Sequence, residues 1–287
     1  MRAVIIGANG QLGADLVGIL SGWDIVGLTH GELDIRDPVR VREALSRVKP
    51  DTVINTAAFN RVDDCEDDPD IAVSVNAYGA RNVARICAEL HCTLIHISTD
   101  YVFGGEKTAP YTEDDAPNPL SVYGGSKLAG EYFVRNICPA HFVVRTSGLY
   151  GVAGSRGKGG NFVETMIRMA GEGKPLRVVD DQVLTPTYTR DLAEKLKALA
   201  QTQAYGLYHV TNRGQCSWYE FAARIFSLLD LRPDLGPTTT KAFGAKARRP
   251  AYSVLAPAKL KQLGMAELPA WDDALERYLL EKGYLRK

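Results

Sequence analysis

The stretch Ala3-Val4-Ile5-Ile6-Gly7-Ala8-Asn9-Gly10-Gln11-Leu12-Gly13 joins a short apolar run to a glycine-rich turn, and a helical pattern follows. Such a turn indicates phosphate binding when it lies between a buried strand and a helix. Gly7 permits the tight turn, Gly10 lets a pyrophosphate approach the backbone, and Gly13 allows close packing of helix on strand. Glycine for packing alone is less favoured, because the motif directly follows the first strand. The stretch predicts an α/β fold, a Rossmann-type doubly wound parallel sheet.

Composition is ordinary for a globular protein of this kind. The chain has 287 residues, of which 45% are hydrophobic and 24% charged, enough to form a large core. Lys plus Arg equals Asp plus Glu, 34 against 34, which gives no support for nucleic acid or a membrane surface as a partner. No apolar run approaches the ~20 residues that span a bilayer, and the chain starts with a strand instead of a signal peptide. We therefore expect a cytoplasmic protein.

The residues that often bind metals give no metal prediction. The five cysteines are scattered, without a Cys-x-x-Cys pair or a histidine at ligand spacing, which is typical of buried thiols in a reducing compartment. The acidic run at 63–68 precedes Pro69 and is better explained as a solvated helix start.

The second strand, 25–28, ends before Thr29, His30 and Gly31, which supply neither the acid nor the Arg that usually selects between NADH and NADPH. The cofactor choice is open at this point. Asp34 is placed to meet the adenine side of a nucleotide. It could equally cap the helix from Pro38, although Asp37 is the better cap by position.

The third strand, 52–55, is followed by Thr56-Ala57-Ala58. Small residues at the end of a central strand leave room for a ligand, although packing alone explains them equally well. The next helix is predicted from about Ile71 to Leu90, and its Asn76 is predicted to face inward. A tether between two backbone segments and a contact to a catalytic water are about equally favoured for it.

Hydroxyl groups follow the fourth strand, 93–97, where Ser98 and Thr99 are predicted to reach the cleft and donate to a substrate carbonyl. They could also be strand-end caps. Tyr123 and Lys127 lie one helical turn apart in the next helix. An ammonium group there is expected to lower the phenol pKa from its reference value of about 10. Tyr-x-x-x-Lys alone is common by chance, so the order of the motifs carries the argument.

Together, the glycine fingerprint, the strand-end Ser-Thr and Tyr-x-x-x-Lys resemble the extended short-chain dehydrogenase/reductase superfamily. Finer matches resemble the dTDP-4-dehydrorhamnose reductase family over almost the full length. They include Asn55-Thr56-Ala57-Ala58, Ser98-Thr99-Asp100-Tyr101-Val102-Phe103, Lys127-Leu128-Ala129-Gly130-Glu131, Arg145-Thr146-Ser147, Asn161-Phe162 and Arg248-Arg249-Pro250.

The resemblance implies an NAD(P)H-dependent oxidoreductase that reduces the 4-keto group of a nucleotide-linked deoxy sugar, most directly dTDP-4-dehydro-L-rhamnose to dTDP-L-rhamnose. NADPH is slightly preferred over NADH, and a homodimer is a possible assembly. The expected catalytic residues are Thr99, Tyr123 and Lys127. The expected cofactor contacts are Gly7, Gly10, Gln11, Leu12, Gly13, Asp34, Ile35, Ala57, Ala58, Asn60, Tyr123 and Lys127. The expected substrate contacts are Ser98, Thr99, Tyr101, Tyr123, Tyr150, Asn161 and Arg249.

The sequence departs from the family pattern at two positions. Gly148 stands where the family often has a Trp that contacts the sugar, so the contact must come from elsewhere, with Tyr150 as the candidate. Arg190 stands where some members have an acid that binds a divalent metal, so no metal is expected. For Arg249, a surface pair with Arg248 and a diphosphate contact weigh equally from the residues alone, and the resemblance favours the second.

Three other functions need discrimination. A sugar-nucleotide 4,6-dehydratase requires Thr-Asp-Glu, whereas this chain has Thr99-Asp100-Tyr101. Tyr123 and Lys127 do not exclude a 4-epimerase, although the chain is short for one. A non-catalytic subunit resembling that of methionine adenosyltransferase would use the fold for binding alone.

A smaller C-terminal substrate-binding lobe is predicted, because the regular alternation breaks after Arg145 and a Gly/Ser/Lys/Arg loop occupies 151–160. The predicted NAD(P)-binding domain is 1–147 with parts of 176–210. The predicted lobe is 148–175 and 211–287.

Overall fold

A computed structural model describes residues 1–154 and 159–286, so part of the predicted 151–160 loop and the last residue of the predicted lobe lie outside the described residues. The main element is a six-stranded sheet in the order β10-β5-β4-β3-β1-β2, with every neighbouring pair parallel. Its strands are β1 (Arg2–Ile6), β2 (Asp24–Leu28), β3 (Thr52–Asn55), β4 (Thr93–Thr99), β5 (His141–Thr146) and β10 (Gly206–His209). The predicted doubly wound parallel sheet is confirmed.

Helices cover both faces of this sheet. One face carries α1 (Gln11–Ile19) and α8 (Thr189–Ala200), which pack on each other and on an apolar cluster around Leu16 and Leu196. The opposite face carries α2 (Pro38–Val48), α5 (Ala80–Glu89) and α6 (Val122–Ile137), over a cluster around Val83 and Val134. Strand side chains alternate between the two clusters, as a sheet buried on both sides requires.

The chain passes to β2 on one side of β1 and then to β3 on the other side. This reversal leaves a crevice beyond the carboxyl ends of β1 and β3, the position at which ligands bind in open α/β sheets. The glycine-rich turn after β1 and the Thr56-Ala57-Ala58 segment after β3 lie at this crevice.

The predicted helix from about Ile71 to Leu90 is interrupted. After α3 (Val62–Asp67) come α4 (Pro69–Val73), a π-helical turn (Ser74–Gly79) and then α5. A Cβ added at Gly130 would lie 2.3 Å from the Asn76 carbonyl oxygen. Glycine at 130 therefore lets α6 approach the π-helical turn that carries Asn76.

The C-terminal part has its own apolar cluster, which includes Tyr150, Val163, Tyr188, Phe221 and Tyr278. Its elements are β6 (Leu149–Tyr150), α7 (Phe162–Gly171), β7 (Leu176–Val179), β8 (Val183–Leu184), β9 (Thr187–Tyr188), β11 (Cys216–Ser217), α9 (Trp218–Leu228), β12 (Leu235–Thr238), α10 (Thr240–Phe243), α11 (Ala258–Gln262) and α12 (Trp271–Glu281). The division into an NAD(P)-binding domain and a substrate-binding lobe stays a prediction, and two segments pack across it. β7 pairs with β12 beside this cluster, whereas Leu260 of α11 packs in the cluster of α1 and α8.

Among the described residues, no helix has the length and apolar character needed to cross a bilayer. All five cysteines are buried, as their pattern suggested.

Candidate active site

The turn after β1 has the geometry of a phosphate-binding loop. Gly7 has a φ of 83°, and an added Cβ there would lie 2.6 Å from Thr56 Oγ1. A Cβ on Gly13 would lie only 2.2 Å from the Gly7 carbonyl oxygen, so the helix can approach the strand only without that side chain. Gly10 is the N-cap of α1 and provides no side-chain cap. The first N–H groups of α1, at Gln11 and Leu12, are therefore available to an anionic group, and the turn fits a dinucleotide pyrophosphate.

Beyond the carboxyl end of β2, the predicted cofactor contact Asp34 stands with two charged residues that the sequence did not single out, Glu32 and Arg36. Glu32 accepts hydrogen bonds from the backbone N–H and the hydroxyl of Thr29, at 2.8 and 2.7 Å. Asp34 forms an ion pair with Arg36 at 2.6 Å, while Ile35 beside it is buried. The sequence does contain a pattern that could have indicated this: acids and an Arg lie within a few residues of the strand end. That region contacts the adenosine ribose in Rossmann folds.

The end of β3 is held by two buried amides. The Oδ1 atom of Asn55 accepts from the Ala57 N–H at 3.2 Å. Both polar atoms of the Asn76 amide bond the Phe59 backbone. The amide oxygen accepts from the Phe59 N–H at 2.8 Å, and the amide nitrogen donates to the Phe59 carbonyl at 3.0 Å. Asn76 is thus the backbone tether, one of its two predicted roles. Ala57 and Ala58 are partly exposed at the crevice and Asn60 is exposed, which leaves all three accessible to a ligand.

Thr99 and Tyr123 meet beyond the carboxyl end of β4. Ser121 caps α6 by accepting from the Gly124 N–H, which places Tyr123 in the first turn. The Thr99 hydroxyl donates to Asp100 at 3.0 Å and accepts from the Tyr101 N–H at 3.2 Å. Burial raises the pKa of Tyr123 above its usual value, and a hydrogen bond with Thr99 partly offsets this. The expected lowering by Lys127 is therefore wrong for this structure, because burial dominates.

A raised pKa keeps Tyr123 protonated at neutral pH, the state that a proton donor needs. Lys127 is 2% exposed and donates to the Ile97 carbonyl at 2.6 Å. Burial lowers the pKa of Lys127 to about 8, although the Glu131 carboxylate favours its charged form. The three expected catalytic side chains thus lie around the end of β4.

Asp100 was overlooked as a functional candidate, although it stands beside Thr99. Its carboxylate accepts from Ser147 at 2.8 Å and from Ser253 at 2.6 Å, as well as from Thr99. Burial raises the pKa of Asp100 to about 6, against these hydrogen bonds. It therefore joins the ends of β4 and β5 to the segment that carries Ser253.

Ser98 points into the protein interior. It is 3% exposed, and its hydroxyl donates to Glu131 at 2.5 Å. Glu131 also receives two hydrogen bonds from Arg145, at 2.9 and 2.7 Å, in an ion pair that is almost fully buried. The predicted substrate contact of Ser98 is thus corrected, because its hydroxyl is committed to a buried carboxylate.

Tyr150 and Asn161 are also corrected as predicted substrate contacts. Tyr150 is 1% exposed and stacks on Tyr188, with ring centroids 5.7 Å apart. Asn161 caps α7 and donates to the Gly151 carbonyl and the Tyr278 hydroxyl, at 3.0 and 3.1 Å. Both side chains are thus committed to the C-terminal apolar cluster.

Arg249 reaches the site from the C-terminal part. It forms an ion pair with Asp63 at 2.9 Å, and its side chain is 17% exposed. The Arg249 side chain also hydrogen-bonds to the side chain of Tyr101. The Tyr101 ring lies edge-on to the Tyr123 ring, with centroids 6.0 Å apart. Arg249, Tyr101 and Tyr123 therefore form one contiguous group, and their role as substrate contacts stays a prediction.

The region around Arg190, where the resemblance implies a divalent metal in some members, does not fit a cation. Arg190 donates to Glu281 at 2.6 Å, and Tyr188 donates to the same carboxylate oxygen at 2.6 Å. Asp15, the other acid there, accepts from Thr189. A guanidinium group is always charged and repels a second cation. The described part of the chain contains no group of three or more residues placed to bind a metal ion.

Comparisons with known proteins show which family this chain is similar to. A family model described as the RmlD substrate binding domain matches residues 1–283. The chain is 41% identical over 283 residues to the spore coat polysaccharide biosynthesis protein SpsK of Bacillus subtilis (strain 168), covering 98% of each chain. It is 40% identical to a dTDP-4-dehydrorhamnose reductase of Streptomyces griseus, covering 96% of this chain and 91% of that one.

A solved structure extends the likeness to the fold. The dTDP-4-dehydrorhamnose reductase (rfbD) from Bacillus anthracis str. Ames, in complex with NADP, superposes with a TM-score of 0.93 at 41% identity, covering 98% of this chain and 99% of that one. The fold and the placement of Thr99, Tyr123 and Lys127 define an extended short-chain dehydrogenase/reductase. Within that class, the chain belongs to the dTDP-4-dehydrorhamnose reductase family, that of the RmlD substrate binding domain.

Proposed function

We propose that this protein reduces the 4-keto group of a nucleotide-linked deoxy sugar with NADPH or NADH. The most direct substrate is dTDP-4-dehydro-L-rhamnose, which yields dTDP-L-rhamnose. The carrying observation is that Thr99, Tyr123 and Lys127 surround the end of β4, on the sheet edge that also bears the glycine-rich turn. The named relatives support the sugar, and the relative solved with NADP supports NADPH as the preferred cofactor.

The residues divide the work of the reduction. A nicotinamide cofactor held at the glycine-rich turn would supply the hydride for the carbonyl carbon. Tyr123, held protonated by burial, donates its proton to the carbonyl oxygen as the negative charge develops there. Thr99 stabilises the same oxygen once its hydroxyl turns from Asp100 to the ligand. The Lys127 ammonium is placed one turn away to stabilise the phenolate that remains.

Binding of the substrate is assigned to the side of the cleft that Tyr101 and Arg249 line. Arg249 can offer its planar guanidinium to a diphosphate, since Arg binds phosphate oxygens in a bidentate manner. The ion pair with Asp63 fixes its position before a ligand arrives. This assignment replaces Tyr150, which cannot compensate for Gly148 while it is buried.

The test is a turnover assay with dTDP-4-dehydro-L-rhamnose and either NADPH or NADH, in which cofactor absorbance and product are followed together. One cofactor oxidised per dTDP-L-rhamnose formed is the expected result. Interconversion of the C4 epimers of a nucleotide-linked 4-hydroxy sugar, without net cofactor consumption, would indicate a 4-epimerase. Cofactor binding without any turnover, with stable association to a synthetase, would favour the non-catalytic subunit.

Assembly and location are further proposals. A homodimer is supported by the family resemblance alone, and light scattering on purified protein tests it. The cytoplasm is the proposed location, because nucleotide sugars and reduced nicotinamide cofactors are made there. A nucleic-acid or membrane partner is not proposed, given a formal net charge of zero.

A further inference from the structure

We propose that His96 is a positioning residue for Lys127, and that Asn55 fixes the ring tautomer in which His96 acts. His96 lies on β4 and is 1% exposed. Its Nδ1 atom is 3.3 Å from the Asn55 amide nitrogen, and its Nε2 atom is 3.5 Å from the Lys127 ammonium nitrogen. The imidazole thus connects the end of β3 to the lysine of the proposed reductase site. The inference deepens that proposed function.

The orientation of the Asn55 amide determines which ring nitrogen carries the proton. Asn55 Oδ1 accepts from the Ala57 N–H at 3.2 Å, so its NH₂ group is the end that faces His96. Nδ1 of His96 must then accept a hydrogen bond and be unprotonated. Burial and the nearby Lys127 charge lower the pKa of His96 well below its usual value, so the ring is neutral. A neutral imidazole without a proton on Nδ1 carries it on Nε2.

The Nε2–H group then points at Lys127. Lys127 already donates to the Ile97 carbonyl at 2.6 Å. The His96 Nε2–H group is a second donor directed at the Lys127 nitrogen. It favours the neutral amine, whose lone pair can accept a hydrogen bond, and it disfavours the ammonium form, which has no lone pair. This contact acts in the same direction as burial, which lowers the pKa of Lys127 to about 8. Lys127 is thereby kept close to its titration point, where it can exchange a proton during turnover.

Other charged residues around α6 also influence the protonation of Lys127, and they stay the same when Asn55 or His96 is changed. Glu131, on the same helix, favours the charged form of Lys127, while Arg145 of β5 holds Glu131 in a buried ion pair. Further charged or titratable residues against α6 come from α3, α5, the π-helical turn and the turn after β4. Among the described residues they include Glu66, Cys65, Arg81, Tyr78, Asp100 and Tyr101.

The tautomer can be measured directly on the cofactor-free protein by long-range ¹H–¹⁵N correlation of the histidine rings. His96 is expected to show a protonated Nε2 and an unprotonated Nδ1. His141 and His209 serve as internal references, because their Nδ1 atoms face backbone carbonyls at 2.7 and 3.0 Å and must be protonated. A protonated Nδ1 on His96 would overturn the proposal. This measurement needs no turnover, so it stands apart from the proposed reductase function.

Asn55→Asp tests the consequence for Lys127. A carboxylate at this position accepts from Nδ1–H, which turns Nε2 into an acceptor for the ammonium group. The histidine signals should report the reversed tautomer. The alkaline limb of the pH–kcat profile should move upward by about one pH unit, which is a tenfold change in the proton affinity of Lys127. Asn82→Asp is the matched control, a buried amide on α5 that donates to the carbonyls of Ile35 and Arg36.

The control is expected to keep the His96 tautomer and the alkaline limb of the wild type. A reversed tautomer with an unmoved alkaline limb in Asn55→Asp would show that His96 does not act on Lys127. If Asn55→Asp does not fold, the wild-type ring signals still decide the tautomer. His96→Gln then tests the link to Lys127, because a Gln oxygen can accept from the ammonium group and should also shift the limb upward.

Discussion

The Ser253 hydroxyl donates a 2.6 Å hydrogen bond to the carboxylate of Asp100, although 153 residues separate them in the chain. Asp100 also accepts from Thr99, so a single buried carboxylate connects a proposed catalytic hydroxyl to the C-terminal part of the protein. Burial raises its pKa to about 6. Its protonation should therefore be visible in the pH dependence of stability.

Asp100→Asn should remove the part of the pH dependence of stability that is due to the Asp100 carboxyl. Because the folded protein keeps the Asp100 proton to higher pH than the unfolded chain, the carboxyl contributes stability below about pH 4 that is lost as the pH rises to about 6. We expect the free energy of unfolding of the variant, relative to wild type, to rise across this interval by on the order of 3 kcal/mol. Denaturant titrations at several pH values measure it. Asp114→Asn, at an exposed carboxylate, is the control, and a difference independent of pH would contradict the prediction.

Gly13→Ala should weaken both stability and cofactor binding, because the new Cβ would lie 2.2 Å from the Gly7 carbonyl oxygen. We expect a loss of at least about 2 kcal/mol in the free energy of unfolding, since backbone atoms must shift. Gly18→Ala in the same helix meets nothing within 4 Å and should stabilise by about 0.5 to 1 kcal/mol. Thermal unfolding and NADPH titration compare the two variants. Equal behaviour of the two would argue against the close helix–strand approach.

Glu131→Gln should be strongly destabilising, because Arg145 would keep its charge in a buried site without a carboxylate. Removal of one partner of a buried ion pair costs about 3 to 5 kcal/mol. Glu89→Gln is the matched control, since Glu89 pairs with Arg42 at the surface, and it should cost less than about 1 kcal/mol. Chemical denaturation gives both values. A loss below about 1 kcal/mol for Glu131→Gln would mean that the pair is not a main support of α6 on β5.

Removal of divalent metal should leave this protein unchanged, because Arg190 supplies the positive charge beside Glu281. Turnover and the thermal midpoint are expected to be equal in EDTA and in magnesium. Arg190→Glu would place a third acid near Asp15 and Glu281, and its thermal midpoint should become dependent on magnesium. Loss of wild-type activity in EDTA, restored by magnesium, would contradict this account.

The sequence predicted the backbone features of the site better than its side-chain contacts. Glycine spacing, strand ends and Tyr-x-x-x-Lys depend on local geometry, so Gly7, Thr99 and Tyr123 could be placed before the fold was known. The direction of a side chain depends on which partners the fold brings near. Ser98 was predicted to face the cleft, yet Glu131 on α6 takes its hydroxyl. Tyr150 was chosen to compensate for Gly148, yet aromatic neighbours from distant segments bury it.

The same limit explains what the sequence reasoning overlooked. Asp100 lies inside a quoted motif and His96 lies in the predicted fourth strand, but nothing local indicates that Ser253 or Asn55 would bind them. Likewise, the effect of Lys127 on Tyr123 was inferred from their spacing alone. The spacing was informative about proximity, whereas the pKa of Tyr123 is set mainly by burial.

Comparison of kcat for wild type, Tyr123→Phe and Tyr132→Phe with dTDP-4-dehydro-L-rhamnose and NADPH tests the central claim most directly. Tyr132 lies on the same helix and is 66% exposed, so it controls for loss of a phenol as such. Loss of the general acid should lower kcat by about 10² to 10⁴-fold in Tyr123→Phe, whereas Tyr132→Phe should equal the wild type. Turnover of Tyr123→Phe at the wild-type rate would contradict the account, because another group would then have to protonate the sugar oxygen.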